Sequence, residues 1–185
     1  SSIAIGYATR AGNSDGGSPY GDGQIAIGTN SYAYGQFGMA LGSNAFGNTT
    51  ASGYGAIAIG GYSTASGSYS IAIQGTASGD NSVAINGGTA SGYYSVAIQS
   101  GYGPCEASGE QSFAIGVSCL ASGDYSGVIG NGTASHQSAI CINASSNRES
   151  AVFVNQLSIM SIPTSAAGLP SGAVWRNGTV LNIVP

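Results

Sequence analysis

Charge is what this chain has least of. Only 5% of its 185 residues are Asp, Glu, Lys or Arg, against ~25% in a typical globular domain. The basic residues are Arg10, Arg148 and Arg176. Three arginines cannot build a basic patch, which excludes nucleic-acid binding by phosphate neutralisation and polybasic attraction to anionic lipid. No apolar run approaches the ~18 residues of a membrane span. No stretch has the order of a signal peptide, and Ser1 falls at the edge of a repeat, so the sequence reads as a piece of a longer or processed chain. There are three cysteines, Cys105, Cys119 and Cys141. An odd count without metal-ligand spacing supports neither a disulfide framework nor a zinc site. Glycine is plentiful, 32 residues, but without the Gly-X-Y period of collagen. With 42% apolar residues and so little charge, the chain is not disordered either.

What is present is a repeat. Ile3-Ala4-Ile5 returns as Ile25-Ala26-Ile27, Met39-Ala40-Leu41, Ile57-Ala58-Ile59, Ile71-Ala72-Ile73, Val83-Ala84-Ile85, Val96-Ala97-Ile98 and Phe113-Ala114-Ile115. Later copies drift to Gly127-Val128-Ile129, Ile140-Cys141-Ile142 and Val152-Phe153-Val154. The intervals are 22, 14, 18, 14, 12, 13, 17, 14, 13 and 12 residues. A second signature follows each copy, as in Ala65-Ser66-Gly67, Ala77-Ser78-Gly79, Ala90-Ser91-Gly92, Ala107-Ser108-Gly109 and Ala121-Ser122-Gly123. Two short strands and two turns in about 14 residues leave no room for a helix. They close as a flattened all-β coil, and stacked coils make a parallel β-solenoid. Eleven copies at roughly 4.8 Å per rung give a rod roughly 50 Å long.

The middle position of the first strand is never charged and never Ser. Alternation puts it on the face opposite its two large neighbours, so both faces read as buried. The large residues are expected to fill the coil. The column Ala4, Ala26, Ala40, Ala58, Ala72, Ala84, Ala97, Ala114, Val128, Cys141 and Phe153 is then expected to face other copies of the chain, as the interface of a homotrimer.

The unit Asn81-Ser82-Val83-Ala84-Ile85-Asn86 with Ala90-Ser91-Gly92 resembles the head repeat of YadA-like trimeric autotransporter adhesins. That resemblance covers roughly residues 1–155. It implies a left-handed β-roll of 14-residue coils, association as a trimer, adhesion at an extracellular surface and no catalytic residues. Residues 156–185 depart from that family, which would continue into a coiled-coil stalk and a barrel anchor. They run through Leu157-Ser158-Ile159, Gly168-Leu169-Pro170-Ser171-Gly172-Ala173-Val174-Trp175 and Asn177-Gly178. Asn-Gly between apolar runs signals a hairpin. This segment resembles the C-termini of phage and viral tail-fibre proteins. The division is therefore a repeat domain, 1–155, and a C-terminal strand or hairpin module, 156–185. The leading reading is the receptor-binding distal part of a virion tail fibre. The alternative is a bacterial cell-surface adhesin head, and an ice- or carbohydrate-binding solenoid is third.

Three stretches lengthen their coils: one after Gly12, one around Gly47–Ala51, and Gly101-Tyr102-Gly103-Pro104. Such insertions form outer loops. Candidate contacts with a host-surface glycan or protein receptor are Tyr20, Asp22 and Tyr102 on insertions, and Trp175 and Arg176 at the tip, where Trp175 also reads as a hydrophobic plug. Asp15 and Asp22 lack the spacing of a calcium loop, so no metal or other cofactor is implied.

Cys105 and Cys119 occupy equivalent positions in adjacent coils, within reach of a disulfide, although stacked Cβ vectors run parallel rather than converging. Cys141 stands in the alanine place and reads as packing. His136, the sole histidine, stands where other units have Gly; no carboxylate lies near it in sequence to hold it for catalysis. The seven acidic residues read as scattered, without the paired carboxylates of a glycan hydrolase. Tyr69, Tyr94 and Tyr125 share one coil position, with Asn81 and Gln111 between them; they either shield the coil edge or stack on sugar rings. Thr64, Thr76, Thr89 and Thr133 form a column broken by Glu106 and Leu120, the feature behind the ice-binding reading.

Overall fold

A computed structural model describes residues 2–12, 23–42, 47–156, 162–177 and 179–184. The chain divides into two compact units, Ser1–Asn155 and Gln156–Pro185.

The first unit is a parallel β-solenoid. Among the described residues, every φ-Ala-φ copy (φ being a large apolar residue) is a strand, and eleven of them stack in sequence order from Ile3–Ile5 to Val152–Val154. The register is strict: Ile57, Ala58 and Ile59 pair with Ile71, Ala72 and Ile73. A second sheet of nine strands, from Arg10–Ala11 to Gly132–Ala134, carries the Thr-Ala segments. The two sheets are the two walls of the coil. About nine coils are complete, rather than eleven. In the tenth, the second wall shrinks to one bridge between Thr133 and Ser145, because Ala144-Ser145-Ser146 replaces the Thr-Ala-Ser segment.

The orientation of the first strand is the reverse of the expected one. Ala26, Ala40, Ala58, Ala72, Ala84, Ala97, Ala114, Val128 and Cys141 are 0% exposed within the single chain. They share one core with Ala33, Ala51, Ala65, Ala77, Ala90, Ala107, Ala121 and Ala134 of the opposite wall. A side chain already sealed in its own chain has no surface left to give to another copy, so this column is not an interface. Ala4, at the first rung, is exposed, and Phe153, at the last, packs half-buried against the core. The physical reason is the shortness of the coil. With strands of two to four residues and short turns between them, the walls lie so close that the space between them is filled by Ala, Ser, Cys, Thr and a single Val. Val128 and Thr49 head the fully buried side chains by size.

The corners are equally tight. A Cβ on Gly67 would collide with the Gly79 carbonyl oxygen, and the same holds coil after coil from Gly35 to Gly109. A buried Ser column precedes the first strand, with Ser70 and Ser112 donating to the carbonyls of Gly67 and Gly109, both at 2.7 Å.

Of the three insertions, the one after Gly12 lies largely outside the described residues, and the one around Gly47–Ala51 differs from expectation. Thr49–Ala51 is a regular strand of the second wall. Gly101–Pro104 is, as expected, an outer loop between the strands Val96–Gln99 and Cys105–Ala107.

The second unit contains an antiparallel pair, Val174–Asn177 with Val180–Ile183, in which Trp175 faces Asn182 and Asn177 faces Val180. The Arg176 N–H donates to the Pro163 carbonyl at 2.8 Å.

Candidate functional site

The large apolar residues point out of the coil. Two parallel columns run the length of the first sheet. One is Ile3, Ile25, Met39, Ile57, Ile71, Val83, Val96, Phe113, Gly127, Ile140 and Val152. The other is Ile5, Ile27, Leu41, Ile59, Ile73, Ile85, Ile98, Ile115, Ile129, Ile142 and Val154. Ile5 is 58% exposed and Ile129 45%. Eleven rungs at roughly 4.8 Å make an unbroken apolar face roughly 48 Å long. Burying one Ile contributes about 1.5–3 kcal/mol, and one methyl group about 0.8. Most of the hydrophobic stabilisation this sequence can gain therefore lies on its outside. The signal was in the repeat: the middle residue stays small while its neighbours vary among Ile, Val, Leu, Met and Phe, as a tight interior and a more tolerant outer face require.

The outer face of the second wall is polar and aligned in register. Its column is Arg10, Tyr32, Thr50, Thr64, Thr76, Thr89, Glu106, Leu120 and Thr133. The hydroxyl run covers four consecutive coils, from Thr50 to Thr89. Beyond it, Pro104, Glu106, Ser118, Cys119 and Leu120 line a shallow pocket of ≈ 210 Å³. Cys105 and Cys119 join there in a disulfide, with Cα atoms 4.5 Å apart. Tyr102, on the loop before Cys105, is fully exposed.

One turn edge carries a different chemistry. Its backbone ladder fixes two columns: Asn81 N–H donates to Ser68 O, Tyr94 to Asp80, Gln111 to Tyr93, Tyr125 to Glu110 and Ser138 to Asp124, all within 2.7–3.0 Å. The outer column is thus Gln36, Tyr54, Ser68, Asp80, Tyr93, Glu110, Asp124 and Gln137, and the next is Phe37, Gly55, Tyr69, Asn81, Tyr94, Gln111, Tyr125 and Ser138. Of the acidic residues among those described, all but Glu106 line up on this edge. Asp80, Glu110 and Asp124 share this edge, and Glu149 continues it, one residue before Ser150, whose N–H donates to Gln137 O. Asp80 Oδ1 accepts the Ser68 N–H at 2.8 Å and Asp124 Oδ1 accepts that of Glu110 at 3.0 Å. Phe37, Tyr54 and Tyr69 form a chain of edge-to-face rings, 5.6 and 5.3 Å between centroids. Tyr93 and Tyr94 meet at 4.3 Å. The Tyr94 hydroxyl and its charge, reinforced by Asp80 and Glu110, push the Tyr93 phenol above its ordinary range. The edge is thus aromatic and electronegative.

The remaining sequence candidates do not converge. Tyr20, Asp22 and Asp15 lie outside the described residues. Trp175 is half-buried and Arg176 exposed on the hairpin of the second unit. His136 Nδ1 is 3.0 Å from the Ser146 hydroxyl and 3.3 Å from that of Ser135. Cys141 is sealed in the core, its Sγ 3.4 Å from Thr133 O, and burial raises its thiol pKa.

The model of the YadA head domain repeat matches residues 21–45, 51–73, 76–85 and 107–133, in two copies. No curated protein matches the sequence.

Proposed function

From a chain built of YadA-like head repeats, we propose that three copies assemble through the Ile5–Val154 and Ile3–Val152 columns into a rigid extracellular head that binds a receptor on a host surface. One observation carries this reading. The interior is made of small residues and the large apolar ones form a continuous outer face, so the complete hydrophobic core exists only between copies. A homotrimer is what the repeat family implies, and adhesion is the role of such heads. The function is structural and adhesive rather than enzymatic.

The carrier we favour is a phage or viral tail fibre, because the solenoid is followed by a small unit with an antiparallel hairpin and the Gly168-to-Trp175 pattern. A bacterial surface adhesin remains the second reading, supported by the repeat itself. Tyr102, in full contact with solvent, and Trp175 with Arg176 are receptor contacts in either setting.

The test is binding of the labelled protein to candidate host cells, with the native chain compared with an Ile73→Asp/Ile85→Asp variant. A trimer presenting weak sites should bind at least about a hundredfold more tightly than single chains. Equal binding by both forms would contradict the assembly reading.

A further inference from the structure

The turn edge from Tyr69 to Tyr125 holds three tyrosines in a backbone conformation that Gly or Asn adopts more easily. Tyr69, Tyr94 and Tyr125 all sit in the left-handed region, at φ +55°, +54° and +58°. A bulky L-residue there is strained by its Cβ against the following carbonyl, and Gly or Asn avoids most of that strain. The same corner takes Gly55 at φ +61° and Asn81 at φ +58°, and also Phe37, Gln111 and Ser138 at φ +57°, +51° and +54°. Yet three corners keep a tyrosine, and each ring remains half-exposed, 58%, 50% and 48%. Tyr69 and Tyr94 each rest against one neighbouring ring, yet about half of each side chain still faces solvent, so the strain is retained at aromatics that remain available to a ligand.

We propose that this edge is a glycan-binding strip, and that its ligand is a linear pyranose chain without acidic groups, lying along the rod. This rests on the reading of the chain as a receptor-binding head. The rise per coil, roughly 4.8 Å, is close to the advance of one pyranose in an extended β-linked chain. Tyr69, Tyr94 and Tyr125 occur at every second coil, so their rings meet the same face of alternate sugars. Asn81 and Gln111 occupy the corners between them and supply amide donors and acceptors to the intervening hydroxyls. Asp80, Glu110 and Asp124 accept sugar hydroxyls from the adjacent column. Two of these carboxylates are oriented by backbone N–H groups of the neighbouring coil. The two columns hold no Lys, Arg or His from Gln36 to Ser138, so sulfated and uronic chains are repelled.

The experiment is an array of linear glycans of six or more residues, including β-1,4-linked glucose and N-acetylglucosamine hexamers and a sulfated chain. It is probed with the native protein and with the combined Tyr69→Asn, Tyr94→Asn and Tyr125→Asn variant. The native protein should bind neutral or amino chains and not the sulfated one. The variant should bind at least about tenfold more weakly, with unchanged native mass and an equal or higher thermal midpoint, since Asn suits these corners better. Absence of binding to every neutral or amino chain, preference for the sulfated chain, or equal binding by the variant would overturn the proposal. So would loss of native mass in the variant, which would place the rings between copies. If the native protein binds host cells and the variant binds them equally, the head reading stands and this strip is wrong. If neither binds any cell, the head reading fails.

Discussion

Phe113 lies over Gly127: the two are register partners in adjacent strands, and a Cβ on Gly127 would collide with the Phe113 ring. The one copy that lacks its first large residue is thus the copy next to the largest. The outer face keeps its apolar cover by size compensation, which is how a contact surface behaves and not how a solvated one does.

Gly127→Ile should therefore overpack that rung and lower stability by about 1–3 kcal/mol. Adding Phe113→Val should restore most of it. Thermal unfolding of the two variants checks the pair; equal loss in single and double variants would contradict it.

Ala72→Asp should abolish the folded solenoid, because it buries an unpaired charge among 0% exposed neighbours, with a penalty of several kcal/mol. Ile73→Asp, one residue on, should leave the coil intact in circular dichroism and disrupt only association. Identical behaviour of the two variants would refute the assignment of faces.

The arrangement of coils was almost wholly legible in the sequence; the facing of the strands was not. Each strand begins at the residue the repeat marks, and Thr64, Thr76, Thr89 and Thr133 share one register column. Period-two alternation separates Ala58 from Ile57 and Ile59 but does not say which set points inward. The usual rule, large residues inside, fails here because the coil is too thin to hold them. The acidic edge was hidden for another reason. Asp80, Glu110 and Asp124 lie 30 and 14 residues apart in sequence, and unequal insertions conceal a common corner until the backbone ladder is traced.

The Cys105–Cys119 bridge predicts a single free thiol, Cys141, under denaturing non-reducing conditions; three would disprove the bridge. Reduction should lower stability by up to about 3 kcal/mol, the loop-closure value for ~15 residues.

Cys141 is sealed, and burial raises its thiol pKa. Folding therefore retains a proton that the unfolded chain releases at high pH. The linked stability is full below the unfolded thiol's pKa and declines as pH rises through the folded value. Alkylation of the native protein at neutral pH should be slower than that of the denatured chain, as read by mass spectrometry; equal rates would contradict the burial.

The most direct test of the outward apolar face is native mass in solution by light scattering, for the reduced wild-type chain and for Ile73→Asp/Ile85→Asp. The account predicts a stable trimer for the first and a folded monomer for the second. A monodisperse wild-type monomer, with the two Ile columns open to water, would contradict it.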